Sequence, residues 1–169
     1  MDPFILFGIQ FTLSLVAYAL IAAWYLEPRL SRMPSALALV PLLWIHAFRV
    51  VGGTILAPGA VDPGVPMEFR TMVGIGDMVT GFLAVLALVA LRAGIRPAIG
   101  LVWVCLVVGT LDTFNAILQS LRFDVFTYPL GVNWVIVTSY VPALLVSSLL
   151  ILRHLLRPAV DPARPVPAR

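Results

Sequence analysis

The chain has 169 residues, 61% of them hydrophobic and only 11% charged, with a formal net charge of +3. A soluble domain averages about a quarter charged residues, and one this small cannot hide such an apolar excess from water. All eleven basic residues are arginines, which excludes lysine Schiff-base chemistry. Apart from Arg49 they fall at helix ends rather than along one exposed face, so no nucleic-acid partner is indicated.

The pattern predicts an all-α fold: a polytopic bundle of five membrane-spanning helices over residues 1–157. A spanning helix takes about 20 mostly apolar residues, and only helices can satisfy their own backbone in hydrocarbon over such runs. The first helix is predicted over Phe4–Tyr25. Asp2 and the lack of a preceding arginine argue against a cleaved leader, so the run is read as a retained helix. Gln10 is a polar residue within it. Glu27, Pro28, Arg29 and Arg32 are expected to close the first hairpin, with Pro34 opening a second helix over Ser35–Ala57. That helix carries Trp44, expected in the core, and the ionisable residues His46 and Arg49.

Residues 58–66 hold three prolines and two glycines and cannot continue a helix. With Asp62, and with Glu68 just beyond, they predict a solvated lid. The third helix is expected over Thr71–Leu91, with Asp77 inside it. Arg92–Pro97 makes a short turn, and Pro97 opens a fourth helix over Ala98–Gln119 that contains Asp112 and Asn115. An aromatic-rich connection leads to a fifth helix over Asn133–His154, which contains Tyr140. There Pro142 removes a helical hydrogen bond and is expected to free the Thr138 carbonyl. The tail from Pro158, with four prolines and two arginines, is predicted to be a disordered cytoplasmic segment.

Arginine placement predicts orientation. Arg29, Arg32, Arg92, Arg96, Arg153, Arg157, Arg164 and Arg169 fall on one side, against Arg70 and Arg122 on the other. The positive-inside rule then puts the amino terminus outside and the carboxyl terminus in the cytoplasm. The predicted location is a bacterial inner membrane, with the lipid bilayer as the one firm partner.

Charged groups at membrane depth usually face a bundle interior or a wet cavity. Arg49, Asp77 and Asp112 lie about 9–12 Å from the outer ends of their helices at 1.5 Å per residue, and Gln10 and Tyr140 reach a similar depth. The inner halves look almost bare. The expectation is a polar, outward-facing pocket in which Arg49 bridges Asp77 and Asp112, with His46, Asn115, Tyr140 and Gln10 as further contacts. It would bind a small polar or lipid-like ligand, in binding or transport. Arg49 and His46 would act as donors; an anionic ligand would displace an aspartate, and a neutral one would add to the network. The one excess negative charge would be balanced by a proton on an aspartate, a protonated His46 or a bound cation.

Three other readings stand beside it. The Arg–Asp cluster can act purely as a helix lock in a structural or accessory subunit of a membrane complex. Asp77 or Asp112 can serve as acid or base in an enzyme acting on a lipid or isoprenoid. A homo-oligomer also remains open, since Gly81, Ala84 and Ala87 permit close packing either within the bundle or between subunits. No cofactor is predicted, with haem at His46 as the alternative. No metal is predicted either, because Arg49 stands among the only candidate ligands. Cys105, the sole cysteine, is expected to be a packing residue.

Overall fold

The computed structural model describes residues 1–157; the tail from Pro158, read above as disordered, lies outside the described residues. Five helices are long and apolar enough to cross a membrane: α1 (Pro3–Leu30), α2 (Ser35–Leu56), α3 (Met67–Arg92), α4 (Ala98–Arg122) and α5 (Val132–Leu155). Asp2 caps α1, its carboxylate accepting the Phe4 N–H at 2.7 Å.

Three of the helices are irregular, and prolines or glycines mark the places. α1 widens to a π turn over Ala22–Leu26, two residues ahead of Pro28, and α5 does so over Ile136–Tyr140, two residues ahead of Pro142. A proline lacks its N–H and crowds the carbonyl four residues back, and a local widening relieves that clash without ending the helix. Glu27 and Pro28 therefore lie inside α1 rather than in a hairpin turn, which corrects the expected end of the first helix. α2 is α-helical over Ser35–Ala47 and then winds as a 3-10 helix over Phe48–Leu56, with Gly52 and Gly53 inside it. Nine residues is long for this winding, which is usually limited to three or four.

α2, α3, α4 and α5 form a ring in which each packs against the next, and α1 lies outside it along α5. No residue of α1 between Pro3 and Ile21 is buried. One apolar cluster fills the half of the bundle nearer the two short turns, around Leu39, Leu43, Ala84, Ala87, Val102 and Ile151. Ala84 and Ala87 are fully buried there, and Gly81 meets α2 at Ala47 and Val50, so the small-residue stripe of α3 serves packing within the bundle. Cys105 is buried in the same cluster.

A second cluster, with Ile55, Val61, Val65, Phe69, Val125 and Leu130, closes the opposite, loop-rich end. Here the segment 57–66 is a packed cap and not a solvated lid. Its Val61 and Val65 are buried, the Asp62 N–H donates to the Pro129 carbonyl, and Asn133 Nδ2 donates to the Ala60 carbonyl. Gly131 holds a φ of +54°, and a Cβ there would stand 2.8 Å from the Ala60 oxygen, so glycine joins the two loops.

Trp44 is 52% exposed on the outside of α2, contrary to the expected core position. The outside of α2 around it is itself apolar, with Leu37, Phe48 and Val51 also exposed, so the indole lies among like side chains there. Trp134 instead donates from Nε1 to Gln10 Oε1 at 2.7 Å, which ties α5 to α1.

Candidate functional site

Between the two apolar clusters lies a layer of ions. Arg49, 3% exposed, enters it from the 3-10 part of α2. Its Nε donates to Asp77 Oδ1 of α3 at 2.5 Å, and Nη2 donates to Asp112 Oδ2 of α4 at 2.6 Å. Nη1 donates to the Gly109 carbonyl at 2.9 Å, and Nη2 makes a second bond to Thr113 Oγ1 at 2.9 Å. Four of the five guanidinium N–H bonds are thus committed to the protein. The Thr113 hydroxyl in turn donates a hydrogen bond to the Gly109 carbonyl. The Arg49 bridge expected from spacing is therefore present, and Thr113, which completes it, had no charge or periodicity to mark it.

Two glycines that the spacing did not single out make room for the carboxylates. A Cβ on Gly52 would fall 1.7 Å from Asp77 Oδ2, and one on Gly76 would fall 1.8 Å from Asp112 Oδ1. The tight winding of α2 at Gly52 and the bare backbone of α3 at Gly76 let each carboxylate lie directly on a neighbouring helix.

The remaining candidates are spread around this layer. His46 is 1% exposed and shares a 3.0 Å hydrogen bond between Nε2 and Ser147 Oγ of α5, while its Nδ1 has no partner among the described residues. Tyr140 donates from its hydroxyl to the Ile45 carbonyl of α2. Asn115 turns away from Arg49 and donates from Nδ2 to Met72 Sδ at 3.0 Å; it lies one turn of α4 beyond Asp112, on the side facing α3. Gln10 is spent on Trp134 at the exposed α1–α5 seam. Neither Asn115 nor Gln10 joins the Arg49 cluster.

A cavity of about 300 Å³ opens above the ion layer toward the loop-rich end. Its floor is Arg49, Asp77 and Thr113, with Tyr140 at the side. The rest is largely apolar. α1 contributes Phe4, Phe7 and Phe11, and the far wall includes Val73, Ile117 and Val137. The expected pocket is thus there but greasy rather than polar, because most polar groups near it are already paired with one another. His46 lies below the floor and does not line the cavity. Around the mouth, Phe7 meets Phe126 with ring centroids 4.2 Å apart, and Trp134 stands edge-on to both. α1 and α4 both line the cavity, yet they pack against α5 and the turn Val125–Thr127 rather than along each other.

A second ionic group, which the sequence reading passed over, sits at the other end of α1 and α5. Glu27 Oε1 accepts from Arg157 Nη2 at 2.8 Å and lies 3.3 Å from Arg153 Nε, while Oε2 lies 3.4 Å from His154 Nε2. His154 is 1% exposed. The expected bareness of this half is corrected by this clasp and by the Ser147–His46 pair. Glu27 escaped notice because a Glu-Pro pair reads as a turn.

These features define a five-helix bundle of membrane-spanning character, with an arginine–dicarboxylate layer beneath an aromatic cavity. Residues 6–156 match the family described as "Domain of unknown function (DUF8737)", and the chain belongs to that family. No curated protein and no solved structure matches the chain.

Proposed function

We propose that this protein resides in a bilayer and binds a lipid-like ligand in the cavity above Arg49, Asp77 and Thr113, as a binding or transport component. One observation carries the reading: an apolar space of about 300 Å³, lined by phenylalanines from α1 and floored by a charged network. Ligand sites are typically concave and mostly apolar, with a few placed polar groups that fix orientation. A bundle that needed Arg49 only as a lock would be more stable with this space filled, since empty volume forfeits packing energy.

The arginine asymmetry supports an arrangement with the loop-rich end outward and the carboxyl end in the cytoplasm, as in a bacterial inner membrane. The cavity then opens in the outer leaflet. Entry from lipid would pass between α1 and α4, with α1 as the wall that yields. α1 suits that part because aromatic contacts hold it at one end and the Glu27 clasp at the other, with little burial between.

The test is native mass spectrometry of protein released from bilayer nanodiscs. The wild type is expected to retain a discrete bound lipid or isoprenoid mass. Ala116→Phe, which fills the cavity from α4, is expected to lose that mass while keeping the wild-type elution profile. An adduct that survives in the filled variant, or a wild type that carries none, overturns the reading.

The ion layer favours a second role that is compatible with the first. Arg49 joins α2, α3 and α4 at once and fixes their register.

A further inference from the structure

We infer that the polar group recognised in this cavity is a cation: the site takes a lipophilic amine or quaternary ammonium, its charge set against Asp77 and its apolar part among the phenylalanines of α1. This rests on the cavity being a ligand site, and it chooses a cation over the anionic or neutral ligand that the sequence left open.

Arg49 spends four of its five N–H bonds on Asp77, Asp112, Gly109 and Thr113. The Thr113 hydroxyl donates to Gly109 O, and the Tyr140 hydroxyl donates to Ile45 O. The strong donors around the floor are therefore committed to the protein. Two acceptors are left over, Asp77 Oδ2 over Gly52 and Asp112 Oδ1 over Gly76, neither with a hydrogen-bond partner among the described residues, and of the two aspartates Asp77 is the one that lines the cavity. An anion entering here would meet a carboxylate with at most one guanidinium N–H left to offer, and would have to break the Arg49–Asp77 pair for a second.

Charge points the same way. One guanidinium faces two carboxylates, so the layer carries one net negative charge at its formal ionisation. In a medium of low dielectric such an excess strongly favours a nearby positive charge. The groove outside the mouth adds Asp2 and Asp124, and no basic residue lines it.

Ring faces complete the match. Phe4, Phe7, Phe11 and Phe126 stand along the path from that groove to the floor. Aromatic faces attract ammonium groups, most of all where water is excluded. No metal site is implied. The ligand is monovalent and diffuse, Asp77 supplies one free oxygen, and Arg49 stays bound to the other.

The experiment uses three probes on one scaffold: 4-phenylbutylamine, 4-phenylbutan-1-ol and 4-phenylbutyrate, at neutral pH. Binding to full-length protein in zwitterionic nanodiscs is measured by equilibrium dialysis, with empty nanodiscs subtracting partition into lipid. The amine is expected to bind about tenfold more tightly than the alcohol, the margin of one charge-assisted contact, and the acid to bind least. Asp77→Asn keeps the acceptor for Arg49 Nε and removes the charge, so it should bring amine and alcohol together. If that variant does not fold, the wild-type amine-to-alcohol ratio decides alone. Equal binding of amine and alcohol, or preference for the acid, overturns the cation inference and leaves the cavity reading standing. No specific binding of any probe overturns both.

Discussion

Replacing Gly52 by alanine should unseat the ion layer by steric force alone, without touching a charged residue. The new Cβ would stand 1.7 Å from Asp77 Oδ2 and 2.5 Å from its Cγ. A carbon and a carboxylate oxygen need roughly 3.2–3.5 Å between them, so the carboxylate must retreat by about 1.5 Å. Asp77 Oδ1 is held by Arg49 Nε at 2.5 Å, and a shift of that size breaks the bond. A hydrogen bond to a charged group contributes about 1.5–3 kcal/mol, and leaving a buried charge unpaired raises the cost toward 3–5 kcal/mol. Asp77 keeps some exposure (15% of its side chain), so roughly 2–4 kcal/mol is expected. By the scaling for domains of this length that lowers Tm by roughly 5–15 °C.

Gly8→Ala is the matched control. It too lies within a helix, but nothing stands within 4 Å of its added Cβ, and alanine gains up to about 1 kcal/mol in helix propensity. Thermal unfolding of both variants in the same detergent, followed by circular dichroism, makes the comparison. A Gly52→Ala protein as stable as Gly8→Ala would refute the close seating of Asp77 on α2.

Other substitutions probe separate parts of the account. Arg49→Met strands two carboxylates and should cost about 3–5 kcal/mol. The triple variant Arg49→Met, Asp77→Asn, Asp112→Asn should recover most of that loss, and a triple no better than the single would show that the charges are not what Arg49 serves. Ser147→Ala removes the only partner that His46 Nε2 has among the described residues and should cost about 1–3 kcal/mol, whereas Ser148→Ala should stay within about 0.5 kcal/mol. Glu27→Gln weakens the clasp between α1 and α5. Because Arg153 is 62% exposed and Arg157 27%, screening holds the expected loss to roughly 1 kcal/mol, read as earlier fraying of α1 in hydrogen exchange. Uniform exchange across the bundle would count against that role.

The five helices were legible because long apolar runs leave the backbone no alternative. The Arg49 bridge was legible because charges at matched depths must find one another. What stayed hidden depended on geometry that a regular helix template does not carry. The 3-10 winding after Ala47 and the π turns before Pro28 and Pro142 shift which side chains share a face, whereas Gln10 and Asn115 sit on regular α-helix and match the cluster in depth alone, their partners Trp134 and Met72 lying away from Arg49. Gly52 and Gly76 carry no mark of their role in the sequence, because nothing in a glycine's own position says which side chain of another helix lies on it. The greasy character of the cavity could not be read from polar residues at all, since it arises from phenylalanines on α1 whose run gives no sign of which side faces inward. Glu27 was read as part of a turn, and so its partners on α5 went unseen.

The most direct measurement is a structure of the protein in lipid nanodiscs, read for density above Arg49 and Asp77 and between the phenylalanines of α1 and Val137 of α5. A bound ligand should give elongated density filling that space, with the Arg49–Asp77 and Arg49–Asp112 contacts intact beneath it. A closed bundle, in which α1 has moved in against α4 and no cavity remains, would contradict a ligand site here and leave the ion layer as a helix lock alone.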